Sequence, residues 1–173
     1  NKSVSVDYDK IKPSLVRPAF ENKLFENEIW LHRVNSIERL EEAKNHFNGF
    51  ELDLIFRKGK FDVNHPPVES INLSLETYLK TLKTDKKIYN FWFDLKNLKE
   101  DNYMKIIARL DYLAKNYVSK TQFVIESNNL KFLTKIKERG YAVSYYMPDF
   151  SNIPSHLMKE EMQKEINLVE QYL

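Results

Sequence analysis

The sequence predicts an α/β fold with a parallel sheet, because strand and helix patterns alternate five times along the chain. Right-handed crossovers then leave two architectures open, a doubly wound open sheet and a (β/α)8 TIM barrel. The length of 173 residues favours the open sheet. A barrel better explains why charged side chains share one face near several strand ends. We therefore expect a TIM barrel represented by only about five βα units.

The first two strands and the helix between them follow from local patterns. Residues 28–31 form a short strand, and Asn35 is predicted to cap a helix with Glu38 in the capping-box position. The second strand covers residues 50–56, after which a turn returns the chain to His65.

The remaining units show clearer periodicity. A helix begins at Ser74, and the strand that follows at residues 88–95 is apolar on one face and carries Asp94 on the other. The third helix covers the sheet with a stripe from Tyr103 to Tyr117, and the fourth strand is residues 122–127. A helix over about 130–139 then stops at Gly140, and residues 141–147 form the fifth strand. The last helix is expected to bury Met158, Met162, Ile166, Val169 and Leu173.

The domain organisation is expected to be simple. Residues 1–27 are predicted to be an N-terminal tether or extension, and residues 28–173 a partial barrel domain. Since a whole barrel takes ~250 residues, about three further βα units are expected after Leu173. Without them, we expect exposed edges of the first and fifth strands to cause aggregation or pairing.

Composition excludes several classes of function. Lys and Arg total 27 against 25 acidic residues, and their interspersion offers no cationic stripe for nucleic acid. The apolar runs are far shorter than the ~20 residues of a membrane helix. The absence of cysteine excludes disulfides and thiolate sites without assigning a compartment. An exported or cell-surface bacterial protein is slightly favoured over a cytoplasmic one.

Two acidic residues in the second strand predict a cation site. Glu51 and Asp53 are separated by one residue, so both project from the same face of the strand. Two anions about 5 Å apart at an effective dielectric of 20 repel by about 3 kcal/mol. A divalent cation would compensate this repulsion.

Polar residues at strand ends resemble a known family. The motifs are, in order, His32-Arg33, Glu51-x-Asp53, His65 and Asp94-x-Lys96. Over residues 30–96 this set resembles the glycerophosphodiester phosphodiesterases and the wider phospholipase-C-like (PLC-like) TIM-barrel superfamily. In those enzymes the same residue types end the first three strands in the same order.

The resemblance implies a metal centre. Glu51, Asp53 and Asp94 would bind one Mg²⁺ or Ca²⁺, hard cations that prefer oxygen ligands. Glu126 faces the same way and is a candidate supporting residue behind these ligands. For Glu126 the resemblance supplies no further role.

The resemblance also implies a catalytic pair. His32 and His65 would flank the phosphorus as general acid and base, with the choice between them left open. Arg33 and Lys96 would neutralise charge on the phosphoryl oxygens. Alternatively, Lys96 has a purely structural role and forms an ion pair with Asp94 or Glu126.

A closer likeness is to the menorin-like branch of the superfamily. It is carried by Trp30-Leu31-His32 before Val34-Asn35-Ser36, and by Asn64-His65-Pro66-Pro67. Val34, Pro66 and Asp94 stand where the diesterases usually have glycine, aspartate and glutamate. These departures bear on headgroup specificity more than on the metal.

The sequence therefore leaves two functions open. We expect a phosphoric diester hydrolase that cleaves a small-molecule or lipid-derived phosphodiester, by hydrolysis or intramolecular attack. The alternative is a non-catalytic menorin-like binding or cell-surface module on the same barrel. An open-sheet phosphate-binding domain would need a glycine-rich loop, which Gly49, Gly59 and Gly140 do not form.

The other histidines, His46 and His156, are predicted to be surface residues. Four aromatic residues are expected either to line a substrate cleft or to pack in the interior: Trp30, Trp92, Tyr145 and Tyr146.

Overall fold

The computed structural model describes residues 29–173, so the predicted N-terminal tether lies outside the described residues. The strands are β1 (Trp30–Leu31), β2 (Gly49–Arg57), β3 (Lys60–Val63), β4 (Asn90–Leu95), β5 (Phe123–Ser127) and β6 (Ala142–Tyr145). The α-helices are α1 (Ile37–Ala43), α2 (Leu75–Thr81), α3 (Tyr103–Asn116), α4 (Leu130–Glu138) and α5 (Ser155–Tyr172). A 3-10 turn at Lys120–Gln122 precedes β5.

The strand order distinguishes the two candidate architectures. The parallel strands lie in the order β1-β2-β4-β5-β6, so each βα unit places its strand beside the preceding one. A doubly wound sheet would reverse direction at a switch point, whereas this order winds in one direction, as a barrel does. The strand β3 runs antiparallel to the end of β2, with Leu54 opposite Val63.

The helices cover one face of the sheet and leave the other for polar residues. On the covered face, Phe91 and Phe93 of β4 are fully buried and belong to the core. From α3, Ile106, Leu110 and Leu113 are also buried, as its stripe predicted. The opposite face corresponds to the interior of a barrel.

Several predicted element ends are confirmed by their caps. Ser74 begins α2 by accepting a hydrogen bond from the backbone N–H of Thr77, at 3.2 Å. Gly140 follows α4 with a φ of +89°, the left-handed conformation that glycine adopts without strain. The strand β4 begins at Asn90 and not at residue 88, since Ile88 is exposed.

Two predictions about helices were wrong. The N-cap of α1 is Ser36, which accepts from the N–H of Arg39 at 3.1 Å, and not Asn35. No residue of α5 is buried, and Met162 is 39% exposed, so the predicted burial of its methionine stripe was wrong as well. The helix packs against α4, and this contact leaves every residue of α5 at least partly exposed. Within residues 29–173, no helix has the length and apolar character needed to span a bilayer.

Two indole rings pack against each other on the inner face of the sheet. Trp30 and Trp92 meet edge to face, with ring centroids 5.9 Å apart. Trp30 lies opposite Gly49 in the register of β1 and β2, and a Cβ on Gly49 would come within 2.9 Å of the Trp30 ring. Gly49 is therefore required by this close approach. Trp30 and Trp92 therefore pack against each other, which is one of the two roles that the sequence left open for them.

We expect Gly49→Ala to lower the free energy of unfolding by about 1–3 kcal/mol, because the added methyl group must displace the ring of Trp30. In an open strand position the same change would stabilise by roughly 0.5–1 kcal/mol, so the sign is diagnostic. Urea denaturation measures the difference. In a Trp30→Leu background the penalty should shrink, and an equal penalty in both backgrounds would contradict the proposed clash.

Candidate active site

Parallel register brings the predicted acidic residues to one place. Asp53 of β2 lies beside Asp94 of β4, and Asp94 lies beside Glu126 of β5. Glu51 precedes Asp53 by two positions and shares its face. Asp94 and Glu126 are each the residue before the last of their strand, and Asp53 is in register with Asp94 although β2 continues beyond it. The C-terminal ends of parallel strands are where barrels place their chemistry.

Three of these carboxylates form a compact group. Glu51, Asp53 and Asp94 each offer one oxygen, and these oxygens lie within 4.8 Å of one another. Asp53 is fully buried, and the other two are 8% exposed. Buried oxygen ligands at this spacing suit a hard divalent cation. The acidic trio predicted from sequence is thus assembled and could bind a metal.

Lys96 lies among these carboxylates. Its Nζ is 2.7 Å from Oδ1 of Asp53 and also contacts Oδ2 of Asp94. Burial alone would lower the pKa of Lys96, but its hydrogen bonds to the two carboxylates raise the pKa above its usual value. The ion pair with Asp94 that sequence analysis offered as an alternative is therefore present.

The segment between β1 and α1 wraps over the end of β2. Arg33 has a φ of +57°, a left-handed conformation that points its backbone N–H at Oε2 of Glu51, at 2.6 Å. The backbone N–H of Val34 donates to the carbonyl oxygen of Glu51 at 2.9 Å. This one segment therefore holds both the main chain and the side chain of a buried acid.

The two predicted histidines lie on either side of the acidic group. His32 follows β1, and its Nε2 is 3.6 Å from Oε2 of Glu51. His65 follows β3, and its Nε2 is 3.9 Å from Oδ1 of Asp53. As predicted, His46 and His156 are exposed.

Arg33 links the second histidine to the acids. Its Nη2 lies 3.0 Å from Nε2 of His65, and its Nε is 4.0 Å from Oδ2 of Asp53. Because a guanidinium can only donate, Nε2 of His65 is the acceptor in this hydrogen bond.

Asn35 is a site residue that sequence analysis missed. Instead of capping α1, its side chain donates to Oδ2 of Asp53 and accepts from the backbone N–H of the same residue. A signal was present in the sequence. Ser36 follows directly and is an equally good N-cap, which leaves Asn35 available for another partner.

Comparisons with known proteins bear on the fold. No protein-family model and no curated protein matches the chain. Among solved structures it is similar to a candidate glycerophosphoryl diester phosphodiesterase from Silicibacter pomeroyi DSS-3, with a TM-score of 0.58 and 11% identity. The match covers 79% of this chain and 71% of that chain.

The described residues fold as part of a TIM barrel. At 11% identity, this likeness shows the fold alone. The menorin-like branch gains no support from these comparisons.

Glu126 lies beside Asp94 on the neighbouring strand β5 and is half-buried. Its carboxylate accepts a hydrogen bond from Oγ of Ser144 at 2.9 Å and interacts with the Trp92 indole. Burial raises the pKa of Glu126, and the nearby charge of Asp94 adds to the effect. Its role as a supporting residue stays a prediction.

A cleft adjoins the charged residues at the barrel mouth. Its volume is about 190 Å³, and its lining comprises Asp94, Leu95, Lys96, Asn128 and Tyr146. Tyr146 thus lines a cleft, whereas the hydroxyl of Tyr145 donates to Glu165 of α5 and serves packing. A larger cavity of about 640 Å³ lies beyond the end of α3, away from the acidic trio.

The protonation of Glu51 responds to its surroundings. Burial raises the pKa of Glu51 to about 7, although the N–H of Arg33 opposes the shift. Asp53 and Asp94 raise it further through charge repulsion. Near neutral pH this carboxyl group therefore exchanges a proton readily while no cation is bound.

We expect Glu51→Gln to stabilise the chelator-treated protein at about pH 8 more than at about pH 5. The folded protein holds the Glu51 proton more tightly than the unfolded chain, whose carboxyl has a pKa near 4.5. The stabilising effect of that proton is complete below the unfolded value and is lost as pH rises through about 7. Glutamine still accepts from the Arg33 N–H but does not ionise.

Urea denaturation of both proteins in excess chelator, across this pH range, measures the effect. Glu42→Gln, at an exposed position of α1, is the matched control and should show the same difference from wild type at every pH. A pH-independent difference for Glu51→Gln would show that the raised pKa is wrong.

Proposed function

We propose that this chain cleaves phosphodiesters with the help of one divalent cation and two histidines. A single observation carries the proposal. Two imidazoles, a guanidinium and an ammonium surround three buried carboxylates at one end of the sheet, although these groups are spread over residues 32–96. The name of the structural neighbour, which refers to a glycerophosphoryl diester, is consistent with this chemistry.

Glu51, Asp53 and Asp94 would hold the cation, and Mg²⁺ or Ca²⁺ fits an all-oxygen donor set. When bound, such a cation polarises a phosphoryl oxygen as a Lewis acid. The positions of Arg33 and Lys96 beside the trio suit them to contact the remaining phosphoryl oxygens.

The contacts of the histidines favour distinct roles. Nε2 of His65 accepts a hydrogen bond from Arg33, which holds the ring beside the acidic trio and suits His65 to act as the base that removes a proton from the attacking hydroxyl or water. Nε2 of His32 lies 3.6 Å from Oε2 of Glu51, so His32 is the second imidazole beside the trio and takes the role of the acid. His32 would then protonate the leaving oxygen.

The substrate proposed is a small-molecule or lipid-derived phosphodiester. The cleft beside Lys96 offers an aromatic ring from Tyr146 and an amide from Asn128. At about 190 Å³, it suits a compact polar group next to the phosphate.

A second candidate is a menorin-like binding or cell-surface module without catalysis. It is favoured by the contacts of Lys96 with Asp53 and Asp94, since an internal ammonium offsets part of the acidic charge by itself. Such a module would keep the barrel and bind a ligand independently of its histidines.

We expect His32→Ala and His65→Ala each to lower kcat/KM by about 10²–10⁴-fold, the usual contribution of a positioned acid or base. The assay uses the 173-residue chain with Mg²⁺ or Ca²⁺ and a panel of glycerophosphodiesters, lysophospholipids and bis(p-nitrophenyl) phosphate. Chelator should abolish turnover, and added cation should restore it. The exposed His46→Ala and His156→Ala are controls and should leave turnover unchanged.

Turnover that survives loss of both histidines, or absence of turnover on the whole panel, would reject the enzymatic proposal. Calorimetry on the same panel then tests the second candidate. Ligand binding that is equal in wild type and in the double histidine variant supports a binding module.

A change of leaving group should separate the two histidines. p-Nitrophenolate leaves without protonation, so His32→Ala should lose at least about 10-fold less activity on bis(p-nitrophenyl) phosphate than on glycerophosphocholine. His65→Ala should lose similar activity on both substrates, because the nucleophile needs its base in each case. The opposite pattern would exchange the two roles.

A further inference from the structure

We infer that Asn35 is a positioning residue that fixes the carboxylate of Asp53 in the orientation required for cation binding. This inference rests on the proposed function, because it assigns a role to Asn35 in the same cation site. Asn35 would act through Asp53 and has no proposed contact with substrate.

The two hydrogen bonds define the orientation of both side chains. Nδ2 of Asn35 lies 2.6 Å from Oδ2 of Asp53, and the backbone nitrogen of Asp53 lies 3.0 Å from Oδ1 of Asn35. A backbone N–H can only donate, so the atom of Asn35 that faces it must be the carbonyl oxygen. The other end of the amide is then the NH2 group, and Oδ2 of Asp53 must accept from it.

This contact decides which oxygen of Asp53 faces the cation site. Oδ2 is held on the side of the segment between β1 and α1. Oδ1 is consequently directed toward Nζ of Lys96, at 2.7 Å, and toward the ring of His65, at 3.9 Å. Asp53 is fully buried, so solvent water is poorly placed to replace the amide if Asn35 is removed.

The same segment also holds the neighbouring acid. The backbone N–H of Arg33 donates to Oε2 of Glu51, while Asn35 engages Asp53 through its side chain. Both acids of β2 are therefore oriented from one short stretch of chain. The contact from Arg33 is made by the main chain, so truncating a side chain does not remove it. The contact from Asn35 is made by a side chain with no other proposed role, so Asn35→Ala removes it.

The chain supplies a matched control in Asn97. Its side chain accepts from the backbone N–H of Phe56 at 2.8 Å and donates to the carbonyl oxygen of the same residue at 2.9 Å. This is the same two-bond contact on the same strand, but without a carboxylate. Asn97→Ala and Asn35→Ala should thus lose comparable stability, while only Asn35→Ala disturbs a cation ligand.

The experiment measures binding of Ca²⁺ and Mg²⁺ by calorimetry in wild type and both variants, with thermal unfolding as the stability measure. We expect Asn35→Ala to weaken cation binding by about 10–100-fold, and Asn97→Ala by less than about 3-fold. Amide hydrogen exchange in the chelator-treated protein should be faster at Asp53 in Asn35→Ala alone. Where turnover is observed, saturating cation should restore most of kcat in Asn35→Ala.

The outcomes separate this inference from the proposed function. Wild-type binding with unchanged affinity in Asn35→Ala would overturn the positioning role and leave the metal site intact. Equal losses in the two asparagine variants would also overturn it, because both effects would then follow from stability. If wild type binds neither cation, the proposed metal site fails and the inference fails with it.

Discussion

Repulsion among three buried carboxylates is the constraint on which this site depends. Glu51, Asp53 and Asp94 present oxygens within 4.8 Å of one another in a region largely shielded from water. Compensating donors are a backbone N–H for Glu51, an asparagine amide for Asp53, and the Lys96 ammonium, which Asp53 and Asp94 share. The surrounding loops are shaped by the need to supply these donors.

The barrel makes this arrangement possible with residues that are far apart in sequence. Neighbouring parallel strands in register set Asp53 beside Asp94, and the segments after β1 and β3 then approach from the other edge of β2. The helices bury the apolar face of the sheet, which leaves the inner face free to carry charge. The rings of Trp30 and Trp92 also pack on this inner face. Stability and chemistry therefore occupy separate faces of the same strands.

Much of this could be predicted from local sequence patterns. Alternation along β2 and β4 placed Glu51, Asp53 and Asp94 on one face, and Ser74 and Gly140 marked helix ends correctly. These features depend on neighbours in the chain, which a sequence displays directly.

Other features depended on tertiary contacts. Asn35 and Ser36 are equally good caps, and the choice between them is made by Asp53, which is remote in sequence. The stripe of α5 indicated burial, but burial depends on which elements surround a helix, and the contact with α4 leaves no residue of α5 buried. The contact between Arg33 and His65 likewise has no local signature.

The left-handed backbone of Arg33 links conformational strain to recognition. Such a conformation costs a side-chain-bearing residue of order 1 kcal/mol or more, and a glycine would adopt it freely. A glycine would still present its amide to Glu51 but would bring no guanidinium to His65. Arg33 thus adopts an unfavourable backbone torsion in which its main chain contacts Glu51 and its side chain contacts His65.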